Sequence, residues 1–252
     1  MEERYVRNRI YVSEEEQATV RNTKVIFGGA GIGSNIAECA LRFGFEQITL
    51  VDGDVVEESN LNRQNYTEAD LGKYKAEALA GRLLAINPQA KISFHNCFID
   101  GTNVEALIGG HDIAVNALDF KSDIPFVFDG VCKKFAIPVL HPYNFGWGGF
   151  LTVAKPDGMP LSELSNDPRD FDLRMAEYVA GYSSFWNIPL EWLEKNIREY
   201  KREKGEASPP QLSVASWIAA GYCVNVMYNL ATGKDVMTFP KFYLSSIYRD
   251  HT

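Results

Sequence analysis

Between an apolar run, "KVIFGG" (24–29), and a helical pattern, "SNIAECALRFG" (34–44), stand Gly28, Gly29, Ala30, Gly31, Ile32 and Gly33. Few folds accommodate that order. Glycines at such a junction allow a sharp turn from strand to helix and let backbone N–H groups approach a phosphate at the helix N-terminus. A second apolar run, "QITLVD" (47–52), ends in Asp52, whose carboxylate can accept hydrogen bonds from ribose hydroxyls. The pair predicts a doubly wound, Rossmann-like α/β fold with a nucleotide at the carboxyl ends of its strands. It does not choose the nucleotide, because NAD, FAD and ATP sites all use such a turn. In register with G-x-G-x-x-G from Gly28, the second glycine is replaced by Ala30. Its methyl is expected to hinder a dinucleotide pyrophosphate, which tilts the reading away from NAD.

The rest of the chain alternates in the same way. Ile36, Ala37, Ala40 and Leu41 recur at helical spacing, and Gly44 closes that helix. A second helix over 73–86 sets Ala76, Leu79, Ala80, Leu83 and Leu84 on one face and stops at Asn87-Pro88. Runs at 91–97, 113–118 and 138–143 read as strands, with helical stretches near 102–108 and 125–136. This alternation predicts a mainly parallel sheet covered on both faces, with antiparallel strands at 149–156 and 241–249 added at one edge. Residues 157–210 differ in character, being punctuated by proline and carrying a charged helix at 190–206. Leu193, Ile197 and Tyr200 are placed to dock on the sheet domain, while Glu194 and Arg198 pair at i,i+4. The chain, 1–252, reads as a single domain in which 157–210 is an insertion or crossover over one side of the site.

Composition narrows the partners. Of 252 residues, 46% are hydrophobic and the formal net charge is −8, so the core is sizeable and general nucleic-acid binding is disfavoured. Cys39, Cys97, Cys132 and Cys223 form no Cys-x-x-Cys pair, offering neither zinc spacing nor a disulfide framework. The opening "MEERYVRNRI" lacks an apolar secretion signal. Residues 211–233 carry no charge and are long enough to cross a bilayer. However, Ser213, Ser216, Asn225 and Asn229 interrupt them and no basic cluster flanks them. A helix in the core or at a subunit interface is expected, in a cytoplasmic protein with no membrane or nucleic-acid partner.

After Asp52 the chain continues "GDVVEESNLNRQ", and then "DLGKYKAEALAGRLLAINP" (70–88). Together with the glycine turn, these runs closely resemble the ThiF/MoeB/HesA family, which includes the nucleotide-binding domains of ubiquitin-activating enzymes. The likeness extends from Arg4 to about Pro156 and resumes at 210–234. It implies adenylation of a carboxylate with Mg-ATP, usually at the C-terminus of a small ubiquitin-like or sulfur-carrier protein. It matches Gly31, Asp52, Asn60, Arg63, Lys75 and Asp119 to the family's ATP and metal ligands, with Asp119 on Mg²⁺. Arg7 matches an arginine delivered to the phosphates across a homodimer interface.

The residue types suit that chemistry. Attack of a carboxylate on the α-phosphate builds negative charge and releases pyrophosphate, so the site must position reactants and neutralise charge. Arg63 supplies a rigid multi-donor cation, Lys75 a point charge and Asn60 amide donors. Asp119, ending "IAVNALD", lies at the carboxyl edge of the sheet, where it can hold Mg²⁺. One departure stands beside it. The family usually carries an Asn or similar polar residue after this aspartate, and here Phe120 follows, so that part of the pocket is altered. Asp123 reads either as a second metal carboxylate or as a solvated or helix-capping aspartate. The cysteines read as buried packing thiols, so transfer to an external sulfur or amine donor is expected rather than a thioester on this chain. His95, His111 and His251 show no pairing, and His141 reads as a hydrogen-bonded structural histidine or as a substrate contact. Two alternatives remain, an NAD- or FAD-dependent oxidoreductase on the same fold and a non-catalytic nucleotide-binding homologue.

Overall fold

The apolar runs are strands in the computed structural model, which describes residues 2–165, 167–203 and 208–248. Strands β1 (Lys24–Gly28), β2 (Gln47–Val51), β3 (Lys91–His95), β4 (Ile113–Asn116) and β5 (Val139–Asn144) run parallel. Strands β6 (Gly149–Ala154) and β7 (Tyr243–Ser245) extend the sheet antiparallel. The spatial order is β3-β2-β1-β4-β5-β6-β7. The chain steps outward from β1 to β3, then crosses back to lay β4 on the other side of β1. The loops leaving β1 and β4 therefore diverge and open a crevice at their carboxyl ends, where open α/β sheets hold ligands.

Eight α-helices cover the sheet among the described residues: α1 (Glu14–Asn22), α2 (Ile32–Phe43), α3 (Lys75–Ile86), α4 (Val104–Ile108), α5 (Ile124–Lys134), α6 (Phe171–Phe185), α7 (Glu191–Arg202) and α8 (Ser213–Ala231). One core lies under α1, α2, α3 and α8, with Val20, Ile36, Leu79, Leu140, Leu151 and Met227 at its centre. On the opposite face α4 and α5 cover Ile26, Val51 and Val139. On that face α6 and α7 also pack on Phe150 of β6. The helical spacing in α2 is obeyed, with Ile36, Ala37, Ala40 and Leu41 each at most 1% exposed. Leu84, expected on the buried stripe of α3, is 38% exposed, because the stripe is completed by Leu83 and Leu84 falls at its rim.

Two helices have no counterpart in the sequence reading. Helix α1 buries only Gln17 and Val20, too little for a periodic signal, although its Ser13–Glu16 capping box is written in the sequence. Helix α6 buries Phe171, Met175, Ala176, Val179 and Ala180 at regular helical spacing, a pattern obscured by the prolines around it. The charged helix behaves as expected. Leu193 is buried, Ile197 packs beside it, and Arg198 lies 3.9 Å from Glu194.

The charge-free helix α8 packs against α2, β5 and β6. No helix among the described residues is long and apolar enough to cross a membrane. Its seat depends on Gly149, where an added Cβ would stand 2.6 Å from the Ile218 side chain and 2.7 Å from the Ala219 nitrogen. Backbone cannot yield there as a flexible side chain would. Gly149→Ala is expected to cost about 1–3 kcal/mol of stability through overpacking, read as a lower urea midpoint at unchanged slope.

Candidate active site

The glycine turn is built by contacts that exclude side chains. Gly29 has φ of 94°, and a Cβ there would stand 2.4 Å from the Ala117 carbonyl oxygen. Gly31 is the N-cap of α2 and supplies no side-chain cap, so the first-turn N–H groups are left for a ligand. Gly28 and Gly33 pack close to Phe128 and to Phe27 with Ala117 respectively. Ala30 is tied at both ends, its N–H donating to Asp52 Oδ2 at 2.6 Å and its carbonyl accepting from the Tyr66 hydroxyl at 2.8 Å. At 1% exposure its side chain packs in the core. The methyl therefore does not narrow the phosphate surface, and the argument it offered against a dinucleotide falls.

Asp52 holds two loops while remaining able to bind. Its Oδ1 accepts from the Asp54 N–H at 2.8 Å, so each oxygen has one backbone donor and lone pairs to spare for ribose hydroxyls. Burial pushes its carboxyl above the usual range, against the opposing pull of those N–H groups and of Lys75. Lys75 is buried, with Nζ 3.2 Å from Asp54 Oδ2. Asn60, also buried, accepts from the Glu57 N–H through Oδ1 at 3.0 Å. That bond shapes the turn and engages only the amide oxygen.

Arg63 is the most heavily braced group. Its Nε donates to Gln211 Oε1 at 2.5 Å, and Nη1 donates to the Ser59 carbonyl at 2.8 Å and to Asn62 Oδ1 at 2.9 Å. Burial lowers its pKa from the ordinary arginine value, while the charge of Asp119 acts in the opposite direction. The loop carrying it is anchored from below. Buried Glu38 accepts from Arg42 Nε at 2.8 Å, from Arg82 Nε at 2.5 Å and from Asn65 Nδ2 at 2.5 Å. Burial pushes the Glu38 carboxyl up, but these donors outweigh it and hold it below its ordinary value.

Sequence reasoning gave Gln64 no role of its own and missed Gln211. Gln64 packs its amide beside Gly31, and its buried Oε1 has no hydrogen-bond partner among the described residues. Its place at the end of the SNLNRQ run was the available signal. Gln211 lies 148 positions from Arg63 and had none. It is held in place because Asn144 clamps Leu212 from both sides, donating to its carbonyl at 2.8 Å and accepting from its N–H at 3.2 Å.

Asp119 is exposed and pairs with Lys121 at 3.0 Å. Among the described residues no group of three His, Cys, Asp or Glu side chains could enclose a metal. A single carboxylate suits Mg²⁺, which keeps several waters and takes its remaining ligands from substrate phosphates, so Asp119 fits that ion. Asp123 stands at the N-cap of α5, exposed and without a capping hydrogen bond, as a solvated aspartate. Phe120 is buried against α6, its ring centroid 4.3 Å from that of Phe171. Beside it, Asp172 is pushed up to about 6 by burial and then by the charge of Asp119.

Arg7 lies elsewhere. It is exposed in a 3-10 helix, Glu3–Asn8, whose Asn8 side chain donates to the Phe43 carbonyl at the last residue of α2. A twelve-residue helix rises about 18 Å, so Arg7 is at the far end of α2 from its own glycine turn. Burial raises the pKa of Cys39, Cys132 and Cys223 and keeps them as thiols, and half-buried Cys97 packs in the core. His141 is buried with Nε2 3.1 Å from Asp129 Oδ2, but neither ring nitrogen makes a hydrogen bond among the described residues. It is packed rather than hydrogen-bonded as expected. His111 meets the Thr49 hydroxyl, His95 is exposed at the sheet edge, and His251 lies outside the described residues.

Comparisons with known proteins bear on the family and the fold. A family model described as the ThiF family matches residues 5–249. Over 160 residues, covering 62% of this chain, the sequence is 31% identical to the SAMP-activating enzyme E1 of Haloferax volcanii, of which it spans 59%. It is likewise 31% identical over 147 residues, 57% of this chain, to the molybdopterin-synthase adenylyltransferase of Escherichia coli, again spanning 59% of that enzyme. The chain thus matches little more than half the length of these relatives. In fold it resembles E. coli MccB crystallised with AMPCPP and MccA. There the TM-score is 0.71 at 19% identity, covering 98% of this chain and 72% of that one.

The burial of Asp172 has a consequence for stability. Its folded-state pKa lies above the ordinary carboxylate value, so its contribution is complete below about pH 4 and is lost as the pH rises through about 6. Asp172→Asn is therefore expected to stabilise the fold near pH 7.5 by about 1–3 kcal/mol and to change little near pH 4. Urea midpoints at the two pH values measure this, and no gain near pH 7.5 would mean that the carboxyl is solvated.

Proposed function

The chain belongs to the ThiF family, and from that membership we propose that it is an ATP-dependent adenylyltransferase acting on a terminal carboxylate. One observation carries the reading: the half-buried Arg63 guanidinium is braced by Gln211, the Ser59 carbonyl and Asn62, and the Asp119 carboxylate is the charge that acts on it. A cation and a carboxylate so placed serve phosphate and metal, whereas a dinucleotide oxidoreductase has no use for them. The substrate is the C-terminus of a ubiquitin-like or sulfur-carrier protein, or of a peptide, a reading supported by what the names of the two enzymes above say of them.

In this mechanism the glycine turn and the α2 N-terminus receive phosphate oxygens, and Asp52 accepts from the ribose. A carboxylate oxygen of the substrate attacks the α-phosphorus, the bond to the β-phosphate bridging oxygen breaks, and pyrophosphate leaves with acyl-AMP remaining. Arg63 and Asn60 supply donors to the phosphates, and Lys75 exchanges Asp54 for them. Asp119 would hold Mg²⁺, which when bound neutralises charge on the phosphate oxygens. Cys132 and Cys223 are buried and Cys39 and Cys97 half-buried, which supports release of the acyl group to an external sulfur or amine donor.

A homodimer belongs to the same reading. Leu212, Val214 and Trp217 form an exposed apolar strip at the start of α8. Arg7, out of reach of its own turn, is suited to a site on a second copy. Residues 1–252 then form one adenylation domain, with 157–210 an insertion beside the acyl side of the site.

Thermal unfolding with Mg-ATP, with ATP plus EDTA and with NAD tests the nucleotide. A ligand at ~100 times its Kd stabilises by about 2.7 kcal/mol, or roughly 5–10 °C for a chain of this size. That shift is expected with Mg-ATP alone and is expected to vanish in Arg63→Ala and Asp119→Ala. A shift with NAD instead would move the oxidoreductase to first place. In sedimentation, Arg7→Ala is expected to remain dimeric while losing most of the Mg-ATP shift. A monomer that binds Mg-ATP in full would remove the dimer from the reading.

A further inference from the structure

Phe120 takes no part in the chemistry above, yet it is buried beside the residue that does. Its ring stacks on Phe171 at 4.3 Å, and Phe126 meets both edge-on at 5.4 and 5.1 Å. The stack joins the residue after Asp119 to the residue before Asp172, so the 157–210 segment sets Asp172 beside the loop that carries Asp119. Asp172 accepts no hydrogen bond from any described residue.

Strand β5 supplies the opposite chemistry. Tyr143 lies two residues from His141 and shares its face of the sheet, the face covered by α5 and α6. It is 8% exposed, and its buried hydroxyl has no hydrogen-bond partner among the described residues. Burial, then the charges of Asp172 and Asp129, raise its pKa well above the ordinary tyrosine value, so the hydroxyl keeps its proton and is a donor. A buried donor left unmatched is costly and calls for an acceptor.

One donor and one acceptor, both unmatched and flanking the aromatic cluster that holds Phe120, Tyr143 and Phe171, are the complement of a single peptide group, which offers one carbonyl and one N–H. We propose that Tyr143 and Asp172 form a subsite for the last peptide unit of the substrate. The Tyr143 hydroxyl donates to its carbonyl oxygen, and the Asp172 carboxylate accepts from its N–H. The inference rests on the adenylation reading and adds to it the residues that distinguish a peptide terminus from a plain small carboxylate. With the terminal carboxylate at the α-phosphorus, the preceding peptide unit lies one residue back, at most ~3.6 Å along the extended chain.

The test is Mg-ATP-dependent pyrophosphate exchange with acetyl-triglycine and with its depsi analogue, in which an ester oxygen replaces the last peptide N–H. Glycine probes ask about the peptide unit alone. Wild type is expected to exchange about tenfold faster with the amide probe. Asp172→Ala should lower the amide rate and bring the ratio near one, and Tyr143→Phe should slow both probes while leaving the ratio unchanged. Equal wild-type rates would overturn the subsite and leave the adenylation reading standing, a comparison that needs no variant to fold. Absence of exchange with both probes would also overturn it, and Mg-ATP stabilisation of the same sample then decides separately whether the adenylation reading survives.

Discussion

The Asp52 carboxylate is the staple on which the site depends. By accepting from Ala30 on one side and Asp54 on the other, it joins the turn after β1 to the loop after β2. From those two points the rest follows. Tyr66 grips the Ala30 carbonyl, and the Lys75 N–H is held by the Asp54 carbonyl at 2.9 Å. The group suited to ribose therefore also sets the spacing between the phosphate turn and the helix that carries the lysine.

A second layer of buried charge supports the first. Glu38 would be costly to bury alone, but two arginines and an amide surround it, and a buried carboxylate so matched is a rigid anchor. It fixes Asn65, and with Ser34 it fixes the end of the loop that presents Arg63. The fold keeps these charges satisfied, while Gln64 and Tyr143 hold buried oxygens without hydrogen-bond partners among the described residues. That division separates what holds the site from what is free to bind.

Legibility followed sequence distance. Gly29, Asp52, Asn60, Arg63 and Lys75 lie within one β-α-β-α stretch, so their joint purpose can be read from spacing and residue type. Gln211 meets Arg63 only because the chain returns after the whole insertion, and no local pattern records such a meeting. Phe120 looked like a defect in a polar pocket because its partner, Phe171, sits in a helix the sequence did not disclose. Ala30 was misjudged for another reason. Backbone hydrogen bonds at both its ends set the direction of its methyl, and no residue count predicts that.

The Asn144 clamp on Leu212 has an energetic meaning beyond placement. Gln211 leads directly out of the 157–210 segment, and it spends its side-chain oxygen on the guanidinium. A ligand that draws Arg63 toward itself competes with that bond, while anything that orders the segment leading into α8 strengthens it. Thermodynamic reciprocity then requires the two to alter each other's affinity by the same factor. Where a phosphate draws on Arg63, its binding and the placing of the 157–210 segment would be linked through a single amide.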